Sequence, residues 1–255
     1  MKKIIKKLLS NIFDKFGFIL VKKIDNKLTK ENLHLRPMGD MKTFIEDLKF
    51  RGLQCKNILD VGAFKAEWST MVKQVFTESN FHLIEPLKEL EPYLKDFCDR
   101  NEFSNYFING AGSENQKLSI HVSSDFAGTS FLSNAEAGEF REINIIKIDD
   151  LISEHKIEIP ELMKIDVQGY ELEVLKGAQL TFGKTEVYIV EVSFFPFDDL
   201  NRFPLIDDVI NYFSAKNYVM YDFPGFLRRP FDGALGQCDI CFVKKDGFLR
   251  NSNKW

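Results

Sequence analysis

The chain has 255 residues, 44% of them hydrophobic and 28% charged, with a formal net charge of −4, the proportions of a folded protein with one large domain or one domain and a small appendage. Residues 1–30 hold nine lysines against Asp14 and Asp25, so the remaining chain is acidic, near −11, which argues against non-specific binding to nucleic acid, a contact that rests on phosphate neutralisation. Four cysteines, at 55, 98, 238 and 241, are too few and too scattered for a disulfide framework, and a reducing, cytoplasmic compartment is expected.

Ile4, Ile5, Leu8, Leu9, Ile12, Phe13 and Phe16 recur at helical spacing with lysines largely between them, which predicts a basic amphipathic helix. Two readings of it stay open: peripheral contact with the inner face of a membrane through residues 1–20, drawn by anionic lipid, or packing on the rest of the protein or on a second subunit of a homo-oligomer. Its longest apolar run, residues 16–21, is too short to span a bilayer. Residues 22–40 are polar and read as a linker, so the expected organisation is helix and linker over 1–40 and one domain over 41–255.

Strand and helix signals alternate from there. Helices are expected over 41–51, 66–75, 87–98, 171–182 and 205–215. Strands are expected over 58–61, 81–84, 106–109, 161–167 and 187–192, with extra strands at 118–122 and 143–148 around a loop at 123–142, and late strands at 218–222 and 239–243. This alternation predicts an α/β fold, a mainly parallel sheet with helices on both faces. Ligands bind such sheets beyond the carboxyl ends of the strands, near the point where strand order reverses. That rule selects Asp60, Gly62, Glu85, Pro86, residues 109–111, residues 166–169 and Glu191.

Gly62-Ala63 ends the first strand in a small-residue turn, and Glu85 ends the second, where Rossmann-like folds hold a ribose diol. The run from Gly62 to Ala66 lacks a full pyrophosphate-binding glycine loop, which favours an adenosyl cofactor without phosphates over a dinucleotide. Asp166, at the end of another apolar strand, is placed to act as a general base, a metal ligand or an orienter of substrate. Lys164 shares its face, so a buried Lys–Asp pair is the alternative. Arg228 and Arg229, beside Phe226 and Phe231, suit an acidic or phosphorylated glycan, or form a solvated surface pair. Cys238 and Cys241 fall on opposite faces of a strand and read as structural. The four histidines suggest no triad, and no nucleophile elbow or Walker lysine loop is present.

Taken in order, Ile58-Leu-Asp-Val-Gly-Ala63, His82-Leu-Ile-Glu-Pro86, Asn109-Gly-Ala-Gly-Ser113, Ile148-Asp-Asp-Leu151 and the long run from Met163 to Ala178 resemble the FkbM family of methyltransferases, over about residues 55 to 245. The resemblance implies a class I (Rossmann-like) methyltransferase domain over 41–255, S-adenosylmethionine as donor, and O-methylation of a hydroxyl on a sugar, glycan or polyketide, with cell-surface polysaccharide biosynthesis the expected setting. It implies that Asp60, Gly62 and Ala63 line the methionine end of the cofactor, that Glu85 grips the ribose, that Asn109 and Ala111 lie by the adenine, and that Asp166 sits near the transferred methyl group. The family usually has Asn where Phe64 stands, Gly where Ala66 stands and Glu where Gln168 stands. The last departure disfavours a two-carboxylate metal site, and no metal ligands are assigned. A cofactor-binding member without catalysis and a Rossmann-like oxidoreductase are the competing readings.

Overall fold

The computed structural model describes residues 29, 33–122, 139–196 and 203–254. The basic helix expected at the N-terminus and most of the expected loop at 123–142 lie outside the described residues. Contacts divide the chain into two units, residues 1–35 and 36–255. Of the first, Thr29 and a single 3-10 turn, Leu33–Leu35, are described.

The second unit begins with helix α1, Met41–Phe50, whose start is capped by Asp40 accepting the Thr43 N–H at 2.8 Å and whose inner face buries Phe44, Ile45 and Leu48. Strands β1 (Asn57–Val61), β2 (Asn80–Ile84) and β3 (Asn105–Phe107) alternate with helices α2 (Glu67–Lys73) and α3 (Glu91–Arg100). Then come the two-residue strand β4 (Gly110–Ala111), β5 (Gln116–Val122), β6 (Glu139–Ile146) and helix α4 (Ile148–Glu154). Strand β7 (Leu162–Ile165), helix α5 (Glu171–Lys176), β8 (Val187–Ser193), helix α6 (Ile206–Ala215), β9 (Tyr218–Arg228) and β10 (Leu235–Lys244) complete the unit.

Seven strands form one sheet in the order β3-β2-β1-β7-β8-β10-β9. All neighbours are parallel except β10, which runs antiparallel to both β8 and β9. Strands β1 and β7 are buried along their whole length, as expected of parallel strands covered on both faces. One core cluster joins Leu59, Met163, Val190 and Phe242 to Phe213 of α6, and the other joins Ile58, Ile189 and Val243 to Phe44 and Leu48 of α1. A small second sheet, β4-β6-β5, flanks the first. The chain winds outward from β1 to β2 and β3, then returns to β7 on the other side, so strand order reverses between β1 and β7.

Three expectations need correction. The segment 143–148 is not one strand: β6 stops at Ile146 and α4 starts at Ile148, because Ile148, Leu151 and Ile152 bury at helical spacing. The expected helix 171–182 ends at Lys176 and is followed by a 3-10 turn, Gln179–Thr181. Strands β9 and β10 run several residues beyond their expected bounds and meet in a hairpin that takes up most of 225–237. Cys238 belongs to one core cluster and Cys241 to the other, as their spacing on a strand requires. Among the described residues no helix is long and apolar enough to cross a membrane.

Candidate active site

Above the reversal point lies a cleft of about 840 Å³, open to solvent. Its floor is the turn after β1. Gly62 has φ +81°, and a Cβ there would overlap the carbonyl oxygen of Asp166, so glycine is needed for the ends of β1 and β7 to approach. Phe64 (φ 48°) and Ala66 (φ 57°) also take left-handed conformations, which cost residues bearing a Cβ about 1–2 kcal/mol each. The resemblance expects Asn and Gly at these two places, the residues that take this conformation most readily.

Glu85 ties this turn to the end of β2. Its two carboxyl oxygens accept the backbone N–H groups of Phe64 and Leu87, each at 3.0 Å. Burial pushes its carboxyl up to about 7 against those hydrogen bonds. The residue is therefore part of the cleft's frame as well as of its lining. Gly110 and Ala111 of β4, and Ile120 of β5, bring the small sheet in as the opposite wall.

Asp166 and Gln168 line the far side, and behind them a row of ionisable groups runs along one face of the sheet. Asp60 on β1 pairs in register with Lys164 on β7, and Glu191 on β8 with Asp239 on β10. The Lys164 ammonium donates to Asp166 Oδ2 at 2.6 Å. Gln168 Nε2 donates to Asp166 Oδ1 at 3.0 Å and to Glu191 Oε2 at 2.7 Å, and Gln237 Nε2 reaches the same Glu191 oxygen at 2.9 Å. Burial works against ionisation of Asp166, but Lys164 and the hydrogen bonds around it outweigh that and hold it below the usual carboxylate range. Glu191, buried and facing Asp166, is pushed up to about 9, and Asp60 to about 6 by burial. Burial opposes the Lys164 charge, yet the nearby carboxylates raise its pKa overall. At neutral pH the row thus holds a charged Lys164–Asp166 pair beside a protonated Glu191.

A match to the family described as the methyltransferase FkbM domain spans residues 60–220. The chain belongs to that family. No curated protein matches the sequence. Among solved structures, the chain is similar to an O-methyltransferase from Bacillus cereus in complex with SAH, at 12% identity over 93% of this chain and 99% of that one, with a TM-score of 0.47. It is also similar to fibrillarin from Aeropyrum pernix with natively bound S-adenosyl-L-methionine, at 9% identity over 75% of this chain and 71% of that one, with a TM-score of 0.44. The seven-stranded sheet of this FkbM domain, parallel but for one inserted antiparallel strand, has the class I methyltransferase arrangement.

The FkbM domain brings Gly62, Glu85, Asn109, Ala111 and Asp166 together around the cleft. Asp60 and Ala63 are not among its described lining residues. Ala63 is packed in a core cluster, and Asp60, 1% exposed, accepts the Ser69 hydroxyl at 2.6 Å while its Oδ1 has no hydrogen-bond partner among the described residues. Arg228 and Arg229 are not brought to the cleft either. They sit at the β9–β10 hairpin, Arg228 donating to the Gly233 carbonyl at 2.9 Å and Arg229 to Asp232 at 3.1 Å, with the Arg229 guanidinium over the Phe195 ring at 3.7 Å.

The bridging part of Gln168 and the place of Glu191 beside Asp166 are not legible in the sequence alone. The available signal was a carboxylate on the same strand face as Val187 and Ile189, in a strand otherwise apolar. Among the described residues no group of His, Cys, Asp or Glu is arranged to hold a metal ion.

Proposed function

We propose that residues 41–255 catalyse S-adenosylmethionine-dependent O-methylation of a hydroxyl on a sugar or glycan intermediate, with residues 1–40 as a basic extension of that domain. The observation that carries the reading is the lining of the cleft above β1 and β7: Glu85, Asp166 and Gln168 converge there, and no lysine or arginine is among the described lining residues. A dinucleotide would bring a pyrophosphate, and the lysine behind this wall, Lys164, is already held by Asp166. S-adenosylmethionine carries a sulfonium and an ammonium beside its single carboxylate, a net positive charge that suits a wall holding the carboxyls of Glu85 and Asp166.

When bound, S-adenosylmethionine supplies a methyl group made electrophilic by the sulfonium. Glu85 would hold the ribose hydroxyls, and the turn at Gly62 would lie beneath the methionine end. Asn109 and Ala111 would flank the adenine. Asp166 receives the acceptor hydroxyl, orients it and takes its proton as the new O–C bond forms. Because Lys164 keeps Asp166 ionised, it is always ready to accept, though a base of low pKa removes a proton with less driving force. Alignment of donor and hydroxyl therefore supplies much of the rate.

Transfer of labelled methyl to neutral glycan acceptors tests the activity. Glu85→Ala, in protein shown to be folded, is expected to weaken donor binding about tenfold to a hundredfold, the value of a charge-assisted hydrogen bond. Unchanged affinity removes Glu85 from the site.

A further inference from the structure

The row of ionisable groups does not end at the cofactor cleft. Beyond Gln168 it continues into a second groove of about 490 Å³, lined by Met41 at the start of α1, by Glu191, by Phe226 and Leu227 of β9, and by Gln237 and Asp239 of β10. The two cavities meet at one hydrogen bond, since Gln168 lines the first and Glu191, 2.7 Å from its amide, lines the second. A group held in the groove is thus one side chain from a group held in the cleft.

The walls of the groove are of two kinds. Phe226 and Leu227 are 47% and 57% exposed, an aromatic and an aliphatic surface, with the Phe226 ring stacked on that of Phe223 at 6.0 Å. Beside them stand the Glu191–Asp239 carboxyl pair and the Gln237 amide. Asp239 is placed close against β9, since a Cβ on Gly225 would overlap its Oδ2. None of the groove's described lining residues is a lysine or arginine, and the nearest arginines on the hairpin are held by Asp232 and Gly233. An anionic acceptor would meet carboxyls whose buried counter-charge, Lys164, is already paired with Asp166. An uncharged ring with an apolar face and several hydroxyls would meet an aromatic surface and hydrogen-bond acceptors together.

We propose that this groove is the acceptor subsite and that it selects an uncharged, polyhydroxylated ring, such as a neutral hexosyl unit, over a uronate or a sugar phosphate. The proposal rests on the methyl-transfer reading above and adds to it the place and the charge of the acceptor. The exposed Phe226 side chain gives the sugar ring its apolar platform, Leu227 borders the groove, Gln237 and Asp239 take the ring's hydroxyls, and Gln168 and Glu191 mark the point where the reacting hydroxyl passes to Asp166.

The test uses the full chain saturated with S-adenosylhomocysteine and saturation-transfer NMR. The probes are the methyl glycosides of glucose, galactose and mannose, each paired with its uronate. Signal is expected for at least one neutral glycoside and not for its uronate. Phe226→Ala, a change at a half-exposed side chain, is expected to lower the neutral signal about three- to tenfold, the effect of losing one aromatic contact. Leu227→Arg, which adds a cation to the rim, is expected to make the uronate signal appear. Equal signals for neutral and anionic probes on the unaltered protein, no neutral signal at all, or an unaltered signal in Phe226→Ala would each overturn the proposal. S-adenosylhomocysteine affinity measured on the same samples separates the two readings. Glycoside binding without it sinks the cofactor assignment and leaves the groove supported, whereas its retention without glycoside binding sinks the groove alone.

Discussion

The two ends of the central strands treat polar groups in opposite ways. At the amino end, Glu161 Oε2 accepts the backbone N–H groups of Lys56 and Asn57, each at 2.9 Å, and Thr185 donates to the Pro160 carbonyl at 2.7 Å. Buried His82 shares a contact with Asn57 at 3.3 Å, and burial lowers its pKa to about 4, so it stays neutral. These polar side chains serve the backbone or stay uncharged, and the Lys56–Glu158 ion pair beside them is exposed. At the carboxyl end, Asp60, Asp166, Glu191 and Asp239 crowd around a single Lys164, and burial drives several of them away from their ordinary pKa values. The first arrangement stabilises the fold. The second works against it, which is the pattern of a site assembled for binding and chemistry.

The contrast can be tested by removing groups from each end. The largest effect is expected from Asp166→Asn, which keeps the shape and an acceptor for Lys164 but removes the base. Turnover should fall by roughly two to four orders of magnitude, with donor affinity little changed. Steady-state methyl transfer checks it, and near-normal turnover would take the proton-accepting role away from Asp166. Next in size, Lys164→Met leaves the carboxyl row without its cation and should destabilise the protein by about 3–5 kcal/mol at pH 7.5. Urea denaturation should show a smaller loss at pH 5.5, where the raised carboxyls are protonated.

The unaltered protein carries its own signature of the crowded end. Asp60 titrates at about 6, Glu85 and Glu171 at about 7 and Glu191 at about 9 in the folded state, all above their unfolded values of about 4. Raised folded values mean that the native state binds more protons, so their stability is complete below about pH 4 and lost as pH rises through 6 to 9. His82 acts in the other direction, since its folded value near 4 lies below the unfolded one of about 6.5, and its share is lost as pH falls between them. Denaturation midpoints across pH 4 to 9 should therefore peak on the acid side of neutrality, and a peak at pH 8 or above would contradict the burial of these carboxyls. The smallest effect is expected at the amino end. Glu161→Gln should cost about 1–2 kcal/mol in lost charge-assisted hydrogen bonds and leave donor binding unchanged, and a loss of binding would break the contrast.

What could be read from the sequence depended on distance along the chain. The β1 turn, the Glu85 position and the pairing of Lys164 with Asp166 are local: apolar runs end in Asp-x-Gly or Glu-Pro, and residues two apart on a strand share a face. The meeting of Gln168 with Glu191 depends on the register of β7 against β8, where Ile165 pairs with Val190. Asp239 joins the row because β10 inserts antiparallel between β8 and β9, a crossover with no local mark. Helix α4 was hidden by the alternating residues of β6 running into it. The left-handed turn at Phe64 and Ala66 was hidden because both residues are poor signals of that conformation.

The central claim is that the cleft above β1 and β7 is built for a cationic adenosyl donor. Calorimetric titration of the unaltered full chain with S-adenosylmethionine and, separately, with NAD⁺ tests it most directly. The account predicts saturable one-to-one binding of S-adenosylmethionine and no binding of NAD⁺. Binding of NAD⁺ with equal or greater affinity, or no binding of S-adenosylmethionine by folded protein, would contradict it.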